Sequence, residues 1–222
     1  MIVFNGVSSD SLGVIVDEYP RKTIARRRIQ YQQIPGRNGD LLIDEGVYDN
    51  YVQSYTLYWL PSTPNKSISD WLRQEGYFTF IDSDIPGYFR MAQVYGPIDP
   101  MNNKGCYTQA IVPFDFKPQW FLDSGNTTVT ISEASTIVNP TLEQSRPLIT
   151  VHGSGNGVLK INGKNISLTS IVTSFTIDSE LMEASFNNQM SGEFPVLNPG
   201  NNTVDWSGGI TGVDIKPRWW IS

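Results

Sequence analysis

Apolar and polar positions along residues 51–60 set the pattern for the whole chain. Tyr51, Val52, Tyr55, Thr56, Leu57, Tyr58 and Trp59 crowd into ten positions, and aromatic and β-branched side chains suit a pleated, half-buried surface. This is the plainest strand in the sequence, and Pro61 and Pro64 break it. Upstream, Val14-Ile15-Val16 and residues 24–31 read as strands. Downstream the period changes. Ile68, Trp71 and Leu72 share one face at helical spacing, so residues 67–76 are predicted to form a short helix lying on a sheet. Ser67 is its expected N-cap and Gly76 its stop. Residues 77–81, 88–95 and 107–116 return to strand patterns.

The segment Asp123-Ser124-Gly125-Asn126 is small, polar and turn-forming, which makes it the expected domain boundary. The reading is residues 1–123 as one domain and 124–222 as another. Beyond the boundary a helical pattern is expected at most over residues 179–184. Leu148-Ile149-Thr150-Val151 is a strand. Val158-Leu159-Lys160-Ile161, then Asn162-Gly163, then residues 164–168 form a strong hairpin signal, because Asn-Gly fills both positive-φ positions of a type I′ turn. Residues 172–177, 182–186 and 202–206 continue the short-strand rhythm of a sandwich or jelly roll. The fold class expected is mainly β, a β-sandwich-like domain with one short helix followed by a second β-sandwich.

One internal echo links the two parts. Phe114-Asp115-Phe116-Lys117-Pro118-Gln119-Trp120 and Val213-Asp214-Ile215-Lys216-Pro217-Arg218-Trp219 match at Asp, Lys, Pro and Trp. Two copies are not a solenoid repeat. They read as equivalent strand ends, each stopped by proline. Residues 213–221 are expected to run back toward the boundary, close to the segment after Phe116.

Composition narrows the function. In 222 residues, 17% are charged and 12% aromatic, with 19 glycines and 14 prolines. The charged fraction is below the ~25% of average domains, which suits many turns and a surface destined for contacts. A net charge of -6 argues against general nucleic-acid binding. Cys106 is the sole cysteine, so no intrachain disulfide and no Cys-based zinc site can form. No secretory signal opens the chain and no window has the ~18 apolar residues of a membrane span. The four Asn-X-Ser/Thr sequences, at Asn65, Asn126, Asn165 and Asn201, then read as Asn-rich turns.

Candidate chemistry is sparse. His152 is the only histidine, so any Ser-His-Asp or Cys-His machinery would pass through it. No nucleophile motif surrounds it, which favours a strand-end residue. Gly153-Ser154-Gly155-Asn156-Gly157 invites a phosphate-loop reading. The run from Gly157 misses the required spacing, and Asn165 stands where Ser or Thr would bind Mg²⁺. Asp82-Ser83-Asp84 and Asp40 with Asp44-Glu45 lack the further ligands of a calcium loop and read as solvated loop acids. The expectation is no catalytic residue, no metal and no cofactor. Six tryptophans, including Trp219-Trp220, are expected to serve packing before sugar stacking.

Arg21-Lys22 and Arg26-Arg27-Arg28 are the one basic cluster in an acidic chain. In a strand Arg27 points opposite to Arg26 and Arg28, so at least one of them needs a carboxylate partner or an interface. Arg26, Arg27 and Arg28 are the candidate subunit-interface residues.

Just after that cluster lies Ile34-Pro35-Gly36-Arg37-Asn38-Gly39-Asp40, two turn signals leading into the strand pattern of residues 41–48. This segment resembles the most recognisable motif of the siphophage distal tail protein family. The opening Phe4-Asn5-Gly6 with Ser8-Ser9-Asp10-Ser11-Leu12-Gly13-Val14 is similar to the family's N-terminal signature. Asp70-Trp71-Leu72, then Tyr77-Phe78, then residues 82–88 keep the family's order. Asn139-Pro140-Thr141, Pro147-Leu148, the Gly163 hairpin and residues 198–202 resemble its C-terminal galectin-like sandwich. The resemblance implies a homo-hexameric ring at the distal end of a phage or prophage tail, single or stacked in pairs, assembled in the host cytoplasm. The first domain would form the ring and the second decorate it. The implied partners are the tail tube protein, the tail-associated fibre or lysin protein, and receptor-binding or baseplate proteins. DNA would pass the channel only in transit, with no membrane partner and no catalytic residue. Rival readings are a carbohydrate-binding module for host cell-wall polysaccharide and a wall hydrolase using an acidic pair.

Overall fold

Alternation along residues 51–59 is realised as a strand whose Tyr55, Leu57 and Trp59 turn inward while Ser54 faces out. The computed structural model describes every residue except Glu18, Tyr19, Arg21, Lys22 and Phe186. The Arg21-Lys22 part of the basic cluster and the end of the expected strand at 182–186 therefore lie outside the described residues. The protein is mainly β, and among the described residues no helix is long and apolar enough to cross a membrane. Two compact units emerge, residues 1–120 with Ser222 and residues 121–221.

In the first unit the elements are β1 (Ile2–Phe4), β2 (Val7–Ser8), β3 (Val14–Val16), β4 (Arg27–Gln32), β5 (Leu41–Tyr48), β6 (Tyr51–Trp59), α1 (Asn65–Leu72), β7 (Phe78–Asp82), β8 (Tyr88–Val94), β9 (Met101–Asn103) and β10 (Tyr107–Leu122). One sheet runs β2-β1-β7-β8-β10-β6-β3, with β9 folded back on β10. Its inward side chains, among them Ile2, Phe4, Tyr55, Phe80, Phe114 and Phe116, form a core rich in aromatic rings. Phe80 stands edge-on to Phe114 and Phe116, each with centroids 5.0 Å apart, a favoured arrangement of ring quadrupoles. Helix α1 adds Ile68, Trp71 and Leu72 to this core, and the Trp71 indole donates to the Phe4 carbonyl at 3.1 Å.

Two expectations for this unit need correction. The helix runs from Asn65 to Leu72, with Pro64 at the N-cap and no side-chain cap, and it ends at Arg73, short of the expected stop at Gly76. Proline's fixed φ of -64° supplies the entry that Ser67 was expected to provide, and Ser67 sits in the first turn with its N–H on the Pro64 carbonyl. Strand β10 is not stopped at Pro118 but runs on to Leu122. Its pairing with β6 already ends at Phe116 opposite Tyr51, so the missing N–H of Pro118 costs that ladder nothing.

The second unit contains α2 (Asp123–Asn126), β11 (Val129–Ile131), β12 (Ser135–Asn139), β13 (Leu148–Ile161), β14 (Lys164–Ile171), β15 (Ser174–Asp178), β16 (Glu183–Ala184), β17 (Met190–Ser191), β18 (Gly200–Lys216) and β19 (Trp220–Ile221). Two long strands organise it. β18 pairs with β12 at its start, with β13 along most of its length, and with β11 at its end. β13 in turn pairs with β15 and then with β14. Both strands switch partners and bend where register breaks at His152 and Gly153. Glycine is required at this bend. A Cβ on Gly209 would lie 1.8 Å from the Ser154 carbonyl oxygen, and one on Gly153 would lie 2.2 Å from that of Gly209. The Gly-rich run is therefore a paired β-bulge, neither a loop nor a phosphate cradle. Bending lets one sheet enclose one core, from Ile149, Val151 and Ile215 to Leu159, Ile166 and Val204.

The Asn162-Gly163 turn joins β13 to β14 with both residues at positive φ, 52° and 77°. The helical expectation at 179–184 fails. The Asp178 carboxylate accepts the N–H groups of Glu180 and Leu181, closing a side-chain turn that leads to β16. A single helical turn, α2, forms where a boundary loop was expected. At the chain's end β18 stops before Pro217, and the Leu122 N–H donates to the Trp219 carbonyl at 2.9 Å. Arg218 holds Asp178 through two bonds, 2.6 and 2.9 Å. The guanidinium keeps the Asp178 carboxyl below the ordinary carboxylate range.

Candidate functional site

Among the described residues, strands β4 and β5 pair only with each other and form a separate two-stranded sheet. The sequence explains why. Pro35-Gly36 and Asn38-Gly39 turn the chain, and Gly36 and Gly39 both take φ of 81°. No side chain in either strand is buried. Tyr31 is 62% exposed, Leu42 53% and Val47 44%, so the hairpin carries apolar groups into solvent. A two-stranded hairpin is at best marginal in water without a further surface to pack on.

What holds the hairpin together is polar. The Arg27 Nε bonds Asp44, 2.8 Å from Oδ2. The Arg28 Nε donates to Asp49 Oδ1 at 2.7 Å, with Glu45 3.8 Å from Nη1. Gln30 donates to Glu45 as well. Asp44 also accepts the backbone N–H of Gly46, at φ 71° in an irregular stretch of β5. That bond first, and Arg27 after it, hold the Asp44 carboxyl below its ordinary value. Arg26 precedes β4 and has no ion-pair partner among the described residues. The three arginines thus divide. Arg27 and Arg28 meet carboxylates of their own hairpin, and Arg26 projects into solvent.

The other sequence candidates disperse. His152 Nε2 lies 2.8 Å from Asp214 Oδ2, and Thr130 Oγ1 donates to the other oxygen at 2.6 Å. Thr130 first and His152 second lower the Asp214 pKa. The trio ties β11, β18 and β13 together, and among the described residues no hydroxyl is hydrogen-bonded to the imidazole. Asp82, expected as a solvated loop acid, is instead buried at the end of β7, where its carboxylate accepts the Asp84 N–H at 2.9 Å, and the Asp40, Asp44 and Asp84 side chains are exposed. Among the described residues no three His, Cys, Asp or Glu side chains converge on a metal-sized site. Trp59, Trp71 and Trp219 are buried, and Trp120, Trp206 and Trp220 are half-buried, so none offers a flat exposed platform. A cleft in the second unit, between Asn162, Lys164, Glu193 and Phe194, has a volume of 190 Å³, below the ~300–1,000 Å³ of ordinary ligand pockets, whereas one in the first unit, between Trp59, Leu72, Val94 and Ile98, reaches 580 Å³.

Two polar assemblies escaped the sequence reading. Arg90 is only 2% exposed. It donates to Gln53 at 2.9 Å and to the Tyr55 hydroxyl at 2.8 Å, while its guanidinium lies 3.9 Å from the Phe116 ring centroid. Tyr55 passes its own proton toward Asp82, 2.9 Å away. Burial, foremost, drives the Tyr55 phenol far above its ordinary pKa. The available signal was a charged residue in the inward register of β8, two positions from buried Ala92. The second assembly gathers Asn50, Tyr77, Gln93 and Asp115, residues distant in sequence with no motif to link them.

Comparison with known proteins bears on the fold. A scan of protein-family models gives no match, and neither does a search of curated proteins. Among solved structures, the chain is similar to the crystal structure of the Dit (gp 19.1) protein of phage SPP1, described as a paradigm of the hub adsorption apparatus in phages infecting Gram-positive bacteria. The TM-score is 0.72 at 12% sequence identity, over 96% of this chain and 97% of that one. From end to end, the chain therefore has the fold of a siphophage distal tail protein.

Proposed function

We propose that the protein is a structural part of a phage or prophage tail tip. In this reading six copies close into a ring, alone or stacked face to face with a second ring. The ring joins the tail tube protein to the tail-associated fibre or lysin protein and to receptor-binding baseplate parts. The carrying observation is the end-to-end likeness to a hub protein, with both chains covered almost completely. The role is non-enzymatic, the second domain is galectin-like, and the mature location is the distal end of the virion's tail.

The β4–β5 hairpin supports the reading. It presents Tyr31, Leu42, Ile43 and Val47 to solvent, and among the described residues no third strand pairs with it. Closed cyclic assembly would give those side chains a surface to pack on. Arg26, Arg27 and Arg28 are assigned to the subunit interface. Arg26 would meet a carboxylate of the adjacent copy, and Arg27 and Arg28 would keep the hairpin in shape for it. Replacing all three with Ala is expected to shift the ring toward smaller species while the melting temperature of the monomer stays put. Desolvated charge pairs at interfaces cost about 2–5 kcal/mol to break, whereas rim pairs cost little. Analytical ultracentrifugation reads the difference, and an unchanged distribution assigns the cluster to solvent.

A further inference from the structure

The hairpin returns to the main sheet through two residues, Asp49 and Asn50, between the end of β5 and the start of β6. Asp49 is spent on the hairpin itself: its N–H donates to the Arg26 carbonyl and its carboxylate holds Arg28. Asn50 points the other way. Its side-chain amide donates to the Tyr77 hydroxyl at 2.7 Å and to Asp115 Oδ2 at 3.2 Å. Tyr77 donates its own proton to Asp115, and the Gln93 amide donates to the Tyr77 hydroxyl at 3.1 Å and to Asp115 at 3.2 Å. Lys117 covers the Tyr77 ring, 5.1 Å from its centroid.

This cluster is built around one carboxylate. Asp115 is 9% exposed, on β10 opposite Val52. Its donors come from the segment before β6, the segment before β7, and β8. Three neutral donors on one buried carboxylate make charge-assisted bonds, the stronger class. Burial first, and Asp115 next, push the Tyr77 phenol up to about 12, so it keeps its proton and remains a donor at any ordinary pH. Asn50 is itself exposed and packs no core. What it adds is direction, because its amide nitrogen lies within bonding distance of the Tyr77 hydroxyl and Asp115 Oδ2 together, two neighbouring acceptors that one hydrogen can share.

We infer that Asn50, seated on the Asp115–Tyr77–Gln93 cluster, is the positioning residue that fixes the angle at which the β4–β5 hairpin leaves the sheet, and so aims the hairpin at an adjacent copy. The second half of this statement rests on the ring reading; the first does not. On the other leg the Asp17 N–H donates to the Thr56 carbonyl and Ala25 is buried, so the hairpin is tethered at both ends.

The test uses the full chain carrying Cys106→Ser, with spin labels at Asn38→Cys on the hairpin turn and Ile111→Cys on the exposed face of β10. Labelled protein is diluted with unlabelled protein, and the distance distribution is measured by pulsed electron resonance. Asn50→Asp, which sets a second carboxylate beside Asp115, is expected to broaden the distribution to about twice its width or more, since a bond to a charged group becomes a repulsion. Asp115→Asn, close to isosteric, is expected to broaden it in the same sense. Thermal unfolding should change little in either variant. Unchanged distributions in both variants would overturn the inference. So would a fall in melting temperature large enough to show that the cluster holds the whole sheet. If the unsubstituted protein proves monomeric, the ring reading fails while the distance measurement still decides the role of Asn50.

Discussion

Deleting residues 213–222 should abolish the folded state of the second unit. Val213 and Ile215 are fully buried and Trp219 nearly so. Burial of each such side chain is worth roughly 1.5–3 kcal/mol, against the ~5–15 kcal/mol that holds a domain. The backbone of the same segment pairs with β11 through Val213 and Ile215 and with β13 through Leu148 to Val151. Its removal leaves both strands with open hydrogen-bonding edges and takes away the Arg218 partner of Asp178. Calorimetry should then show loss of the heat absorbed by this unit. A melting profile identical to that of the full chain would show that the tail contributes nothing to the fold.

Arg90→Met should destabilise the first unit by about 3–5 kcal/mol, the usual cost of breaking a buried, hydrogen-bonded charge arrangement by removing one partner. Methionine fills much of the space. What it cannot do is donate to Gln53 and Tyr55 or balance the Asp82 carboxylate, whose Oδ2 lies 3.9 Å from the guanidinium. The variant Arg90→Met with Asp82→Asn should recover part of the loss, because the uncompensated charge is gone. Urea unfolding with an unchanged slope checks both values. A loss under about 1 kcal/mol for Arg90→Met would mean that ring packing, not charge, dominates at this site.

The legible parts of this fold are those where one physical signal was enough. Strand β6 alternates inward Tyr55, Leu57 and Trp59 with outward Ser54, and the alternation is visible in the sequence. Asn162-Gly163 names its own turn. Helix α1 shows its buried face through Ile68, Trp71 and Leu72, but its start was missed because Pro64 does by geometry what Ser67 was expected to do by hydrogen bonding. Strand β18 was harder. It reads as two pieces, residues 202–206 and the strand end from Val213, because Gly208 and Gly209 look like a turn until the facing strand shows that backbone needs their space. β13 was split in two for the same reason.

The candidate site was legible in composition but not in geometry. Alternation correctly separates Arg27 from Arg28, and their carboxylates, Asp44 and Asp49, lie within the same hairpin. Periodicity could not show that β4 and β5 stand off the main sheet, since Leu41-Leu42-Ile43 is a continuous apolar run. Nor could it link Asn50 to Asp115, sixty-five positions away.

The mass of the assembled particle tests the central claim most directly. Multi-angle light scattering of the purified full chain, at high protein concentration and low salt, should give six or twelve times the 24.9 kDa chain mass, as closed cyclic symmetry requires. A strictly monomeric mass under those conditions would contradict the account.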